Sequence, residues 1–280
     1  MQHSQRKHSK YSASGAERWE ACPGSVALSE GVPDKDTPWS LEGTQAHEVL
    51  EQILTVSISV GAHRVFRPKF ARGTDPLMIH HGTHAANLIL GEWGSRPGSD
   101  ILVETRIVLD WIHPEMFGTF DGAVIDTFDT LNVYDYKYGA GHAVSPKENL
   151  QMAFYAIGLA HKYHWNFKRI RNWIIQPRIK GYDGPAFWEI PTRELETKWV
   201  DRFRRAVDRV ESEPDTYVEG GHCHWCKAKK ICPLKVEGRV EKARSIFQPV
   251  GGEYGSKEEF KSEADWRKEA RSSKGQRQAR

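Results

Sequence analysis

The stretch NVYDYKYG, residues 132–139, decides how the chain is read. Side chains alternate across a β-strand, so Val133, Asp135 and Lys137 share one face. Asn132, Tyr134, Tyr136 and Tyr138 take the other. Gly139 and Gly141 punctuate its end. Two further strands precede it, DILVETRIVLD (100–110) and GTFDGAVIDTF (118–128), and the third runs over 130–141. Turn residues separate the three at short range, which predicts an antiparallel meander.

Outward from the meander, SPKENLQMAFYAIGLAHKY (145–163) reads as a helix with Pro146 in its first turn. RIRNWIIQPRI supplies a strand near 169–177, and AFWEIP another. Residues 192–212 form an amphipathic helix with Thr192 as N-cap. Upstream, SLEGTQAHEVLEQIL repeats Ala46, Val49, Leu50, Ile53 and Leu54 at helical spacing, starting near Thr44. The expected class is α/β, a mixed central sheet flanked by helices.

The first strand face carries chemistry. Asp135 and Lys137 stand side by side, and the preceding strand brings Asp121 across a hairpin. Two carboxylates can hold Mg²⁺ or Mn²⁺, hard cations that want oxygen, with the Tyr136 carbonyl as a further donor. A lysine beside them can neutralise charge developing on a phosphate. An Asp-x-Lys triplet alone is common on solvated strands. Its weight here comes from His47 at the border of the early helix, from Glu104 on the first strand, and from Gln151 and Tyr155, four apart on one helix face. Lys147, Lys162, Arg169 and Arg171 are available for phosphates, and Tyr138 for unpaired bases.

Four cysteines remain: Cys22 alone, then Cys223, Cys226 and Cys232 within GHCHWCKAKKICP. The triplet has metal-ligand spacing. Spacing alone leaves an iron–sulfur cluster level with a zinc site, the latter using four cysteines or enlisting His222 or His224.

Net charge is +3, which neither demands nor excludes nucleic acid. No run of about 20 apolar residues suggests a membrane span. The polar start lacks the apolar core of a secretory signal, so a reducing cytoplasm is expected. No phosphate-binding Gly-x-x-x-x-Gly-Lys motif is present, so any motor would be a separate chain.

The order His47, then GTFD ending in Asp121, then DYK from Asp135 to Lys137, then QMAFY from Gln151 to Tyr155, resembles the PD-(D/E)XK nuclease superfamily. It is most similar to the RecB/AddB-like branch, including cluster-bearing members, and the opening SASGAERWEACPGSVALSEG looks like a phage-associated exonuclease group. The likeness covers roughly residues 12–235. It implies a restriction-endonuclease-like core and a Mg²⁺- or Mn²⁺-dependent deoxyribonuclease, acting as an exonuclease in recombination, repair or phage DNA processing. His47, Asp121, Asp135 and Tyr136 would bind metal. Lys137 would be the catalytic lysine, with Gln151 and Tyr155 in support, and Glu104 would occupy the variable first motif. Cys22, Cys223, Cys226 and Cys232 would hold a 4Fe–4S cluster, zinc being the alternative, that ties the two ends of the domain together. The implied partners are DNA and a separate annealing protein, recombinase or helicase, in a cytoplasm (the host's, if phage-encoded). The alternative is a non-catalytic nucleic-acid-binding module with a structural iron–sulfur or zinc site. The expected layout is a flexible tail over 1–15, the nuclease domain over 16–240, and a charged tail over 251–280.

Overall fold

The computed structural model describes residues 9–33, 36–126 and 129–246. Its elements run α1 (Ala16–Ala21), α2 (Ser25–Ser29), α3 (Pro38–Ser59), α4 (Pro76–Gly94), β1 (Asp100–Val108), β2 (Phe117–Ile125), β3 (Thr130–Tyr136), α5 (Leu150–Lys162), β4 (Arg169–Ile175), β5 (Ala186–Pro191), α6 (Thr192–Glu194), α7 (Val200–Ser212) and α8 (Pro233–Ile246). The five strands form one sheet in the order β1-β2-β3-β4-β5. β1, β2 and β3 are an antiparallel meander. α5 crosses over to make β4 parallel to β3, and β5 returns antiparallel. The sheet is therefore mixed and is covered by helices on both faces.

One face packs α3 and α4 against Val124, Tyr134, Tyr136 and Tyr138. The other packs α5, α7 and the N-terminal segment against Ala123, Val133 and Ile174. α5 lies very close to the sheet: a Cβ at Gly158 would meet Ile107 at 2.4 Å. That contact explains a glycine inside a helix, where it otherwise costs ~1 kcal/mol.

Several boundaries differ from the sequence expectation. α3 begins at Pro38, not near Thr44, because Thr37 and Ser40 form a reciprocal cap and proline suits the first helical position. Thr44 instead bonds back to the Ser40 carbonyl at 3.1 Å. α5 begins at Leu150, capped by Asn149, and Pro146 precedes it. Glu148, with φ of 55°, turns the chain just before that cap. Thr192 is not a cap but sits in the first turn after Pro191, and the helix onward passes through a π-turn at Leu195–Trp199.

The tail expected over 1–15 is packed from Ser9 onward. Tyr11 is fully buried, and its hydroxyl bonds Glu211. It meets Trp19 edge-on at 5.6 Å. Burying such rings contributes ~1.5–3 kcal/mol each, enough to hold a short polar segment down. The tail expected over 251–280 lies outside the described residues. The described residues from Leu234 onward, most of α8, belong to a second unit. No described helix is long and apolar enough to cross a membrane.

Candidate active site

The alternation of the meander slips at one place. Phe120, Ala123 and Ile125 all pack in the α5-side core, although residues three apart cannot share a face of a regular strand. A Cβ at Gly122 would point at Ile89 of α4. In β1 the same slip separates Val103, packed on the α3–α4 side, from Ile107 on the α5 side. It falls at Glu104, whose φ is +42° in mid-strand. A non-glycine residue in that region is strained and calls for a reason. Its position opposite Asp121 follows from the register, which pairs Val103 with Gly122 and Thr105 with Phe120.

The slip gathers ligands. His47 from α3, Glu104 from β1 and Asp121 from β2 bring one donor atom each to within 4.8 Å of one another, the one such group among the described residues. His47 Nδ1 lies 2.8 Å from Asp121 Oδ1. Asp121 Oδ2 accepts the Tyr136 backbone N–H at 2.6 Å, taking a donor for which the β2–β3 ladder supplies no partner beyond Gly122–Tyr134. Burial opposes charge on both groups, yet each overrides it for the other. The Asp121 carboxylate, with Asp135 and Glu104, pushes the His47 imidazole up to about 9. The imidazolium, the Tyr136 N–H and Lys137 hold Asp121 below the usual carboxylate range.

A second cluster adjoins the first. Lys137 Nζ sits 3.0 Å from Asp135 Oδ2 and donates to Gln151 Oε1 at 2.9 Å. Gln151 Nε2 in turn donates to Asp135 Oδ1 at 3.0 Å and to the Tyr155 hydroxyl at 3.2 Å. Oδ2 of Asp135 has the lysine charge beside it but no hydrogen bond. Burial and repulsion from Asp121 outweigh the lysine's attraction and push Asp135 above the usual carboxylate range. Burial disfavours the Lys137 ammonium, but Asp135 and Asp121 more than compensate and keep it charged. A pocket that gathers the carboxylates of Glu104, Asp121 and Asp135 suits a hard divalent cation. The donor set fits.

The structure thus brings His47, Asp121, Asp135, Lys137, Gln151 and Tyr155 together where the middle of β2 meets the end of β3, inside the sheet rather than at its edge. Tyr136 contributes its backbone N–H there, while its ring lies near His47 at 5.7 Å. Glu104 joins His47 and Asp121, whereas Asp135 turns to Lys137 and Gln151. Nothing in the one-dimensional pattern marks that division; only the register does. Tyr138, expected to be free for stacking, is buried beneath the Arg178 guanidinium, 4.4 Å from its ring. Of the four basic residues offered for phosphates, Lys147 lines the cleft. Arg169 and Arg171 are held by Asp129 and Glu189, and Lys162 ends α5 over Tyr163.

The cysteines form no disulfide; Cys22 and Cys226 are buried, Cys223 and Cys232 half-buried. Cys22 Sγ accepts the Val218 N–H at 3.3 Å, and Cys223 Sγ lies 3.9 Å from the Val218 carbonyl. The N- and C-terminal segments therefore meet here. No three cysteine sulfurs come within 4.8 Å of one another among the described residues. A tetrahedral single-ion site, with sulfurs ~3.8 Å apart, is not assembled. His222 is occupied by the Val218 carbonyl at 3.0 Å.

Among solved structures, SSO0001 matches over 83% of this chain and 90% of its own, at 13% identity and a TM-score of 0.39. A Eubacterium rectale protein described as "Putative exonuclease" matches over 86% and 94%, at 11% identity and a TM-score of 0.41. Residues 8–254 match the family described as "Protein of unknown function (DUF2800)", and the chain belongs to that family.

Proposed function

We propose that the chain is a Mg²⁺- or Mn²⁺-dependent deoxyribonuclease of the PD-(D/E)XK type, working as an exonuclease in DNA recombination, repair or phage DNA processing. One observation carries the reading: a His47–Glu104–Asp121 donor group stands beside an Asp135–Lys137–Gln151 network at a cleft. His47, Glu104 and Asp121, with Asp135 beside them, would hold the cation, which when bound polarises phosphate and acidifies water.

The protein groups have distinct tasks. Gln151 bridges Asp135 and Lys137 and so fixes where the ammonium points. Tyr155 fixes Gln151 in turn. A charged, desolvated and pre-aimed ammonium can stabilise negative charge growing on a phosphate without reorganising. Asp121 is locked from two sides, by His47 and by the Tyr136 N–H, so its carboxylate is preorganised.

The same proposal assigns Cys22, Cys223, Cys226 and Cys232 to a 4Fe–4S cluster. The resemblance to cluster-bearing nucleases is what favours it over zinc. The cluster would join the two ends of a domain over 16–240. Iron and acid-labile sulfide assays of anaerobically purified protein distinguish the two metals.

The test is cleavage of end-labelled linear and closed circular DNA with Mn²⁺ and with EDTA. Metal-dependent loss of linear DNA alone is expected. Lys137→Ala should lower the rate ~100- to 1,000-fold while leaving DNA binding intact. Wild-type cleavage by Lys137→Ala would refute the site.

A further inference from the structure

A cleft of about 1370 Å³ opens over Lys137 and Gln151. That exceeds the ~300–1,000 Å³ of small-molecule pockets. Two of its walls carry indoles that the fold leaves in water: Trp39 from the start of α3, 78% exposed, and Trp225 from the Cys223–Cys226 turn, 75% exposed. No other described tryptophan is among the exposed large hydrophobic residues. Trp225 is held in place: it meets His224 edge-on at 4.5 Å and His142 at 6.3 Å. His142 belongs to the loop that follows the Lys137 strand. The cysteine turn thus builds a wall of the cleft.

The walls balance their charges, so the exposed rings are what distinguish this cleft. Glu17, Glu20, Glu42 and Glu148 match the lining's cationic side chains in number. Arg178 is paired with Glu42 at 2.8 Å, and Arg202 with Glu20 at 2.7 Å. Phosphate attraction serves duplex and single strand alike, so charge does not choose between them, and a duplex keeps its base faces stacked away from protein rings. Unpaired bases instead offer flat faces to exposed aromatic rings.

We propose that Trp225 and Trp39 grip unpaired bases and make the cleft selective for single-stranded nucleic acid delivered to Lys137. The proposal rests on the nuclease reading of that site and adds its substrate form.

Fluorescence anisotropy of a labelled oligodeoxythymidine, and of a duplex of equal length, tests it in EDTA, where no cleavage intervenes. Wild type should prefer the single strand. Trp225→Ala should weaken single-strand binding at least about fivefold, with duplex binding unchanged and Trp225→Phe recovering most of the loss. Trp39→Ala should act in the same direction. Circular dichroism should be unchanged, since both rings are exposed. Unaltered single-strand affinity in both alanine variants, or equal losses on duplex and single strand, would overturn the grip. Tryptophan-dependent binding without Mn²⁺-dependent cleavage would keep the grip and remove the nuclease reading instead.

Discussion

The end of the meander and the cysteine segment are the two sites for which a ligand is proposed, and the fold treats them differently. His47, Glu104 and Asp121 already converge, with donor atoms within 4.8 Å. Sheet register puts Glu104 opposite Asp121, and hydrogen bonds from Tyr136 and His47 lock the latter. At the cysteines the backbone of Val218 links Cys22 to Cys223, and beside it the Gly24 N–H donates to the Thr216 carbonyl at 2.8 Å. The first site is held by the sheet and would exist without metal. The second joins segments about 200 residues apart, and its ligand would supply much of its cohesion. Metal loss should therefore be tolerated at one and structurally costly at the other.

The largest expected effect breaks the comparison at its weaker half. If the proposed cluster is held there, Cys226→Ser, at a buried position, should abolish iron binding and remove ~3 kcal/mol of stability. At this chain length that is a fall in Tm of about 6–12 °C. Stripping the divalent cation with EDTA should change Tm far less. Equal losses in both experiments would show that the two sites are not built differently.

The stronger half has its own pH signature in metal-free protein. The His47 imidazole is raised from 6.5 to about 9. A raised folded value means the imidazolium–Asp121 pair stabilises fully below about 6.5 and is lost as pH climbs through about 9. At ~1.4 kcal/mol per unit the swing is at most ~3.5 kcal/mol, and solvent reaching the imidazole brings it nearer ~2 kcal/mol. Urea unfolding of wild type and His47→Asn across that range measures it; parallel curves would remove the pair from the stability account.

Much of this was legible from the residues alone, for a physical reason. The meander is announced by alternating strands and turn glycines; Asp121, Asp135 and Lys137 fall on it, and Gln151 and Tyr155 on the helix that follows. α4 was not, because PLMIHHGTHAANLIL dilutes its apolar stripe with three histidines and a glycine. The N-terminal segment reads as a polar tail because two rings, Tyr11 and Trp19, do its anchoring. Trp39 and Trp225 carry no local signal at all; their meaning comes from exposure at a cleft.

Glu104 is where sequence and structure part most, and it yields the smallest effect and the sharpest sign. Side-chain alternation puts a carboxylate there but cannot supply a φ of +42°. Holding a glutamate in that conformation costs ~1 kcal/mol or more, which a strand would shed unless a site required it. Asparagine adopts left-handed backbone more readily and loses both the charge and a methylene of reach. Glu104→Asn should therefore keep Tm level or raise it by a few degrees while weakening Mn²⁺ binding at least ~10-fold. Calorimetric titration and thermal unfolding of the same preparation separate the two quantities. A drop in Tm with Mn²⁺ affinity intact would mean that Glu104 serves the fold, and that the slip in the meander is not there for the metal.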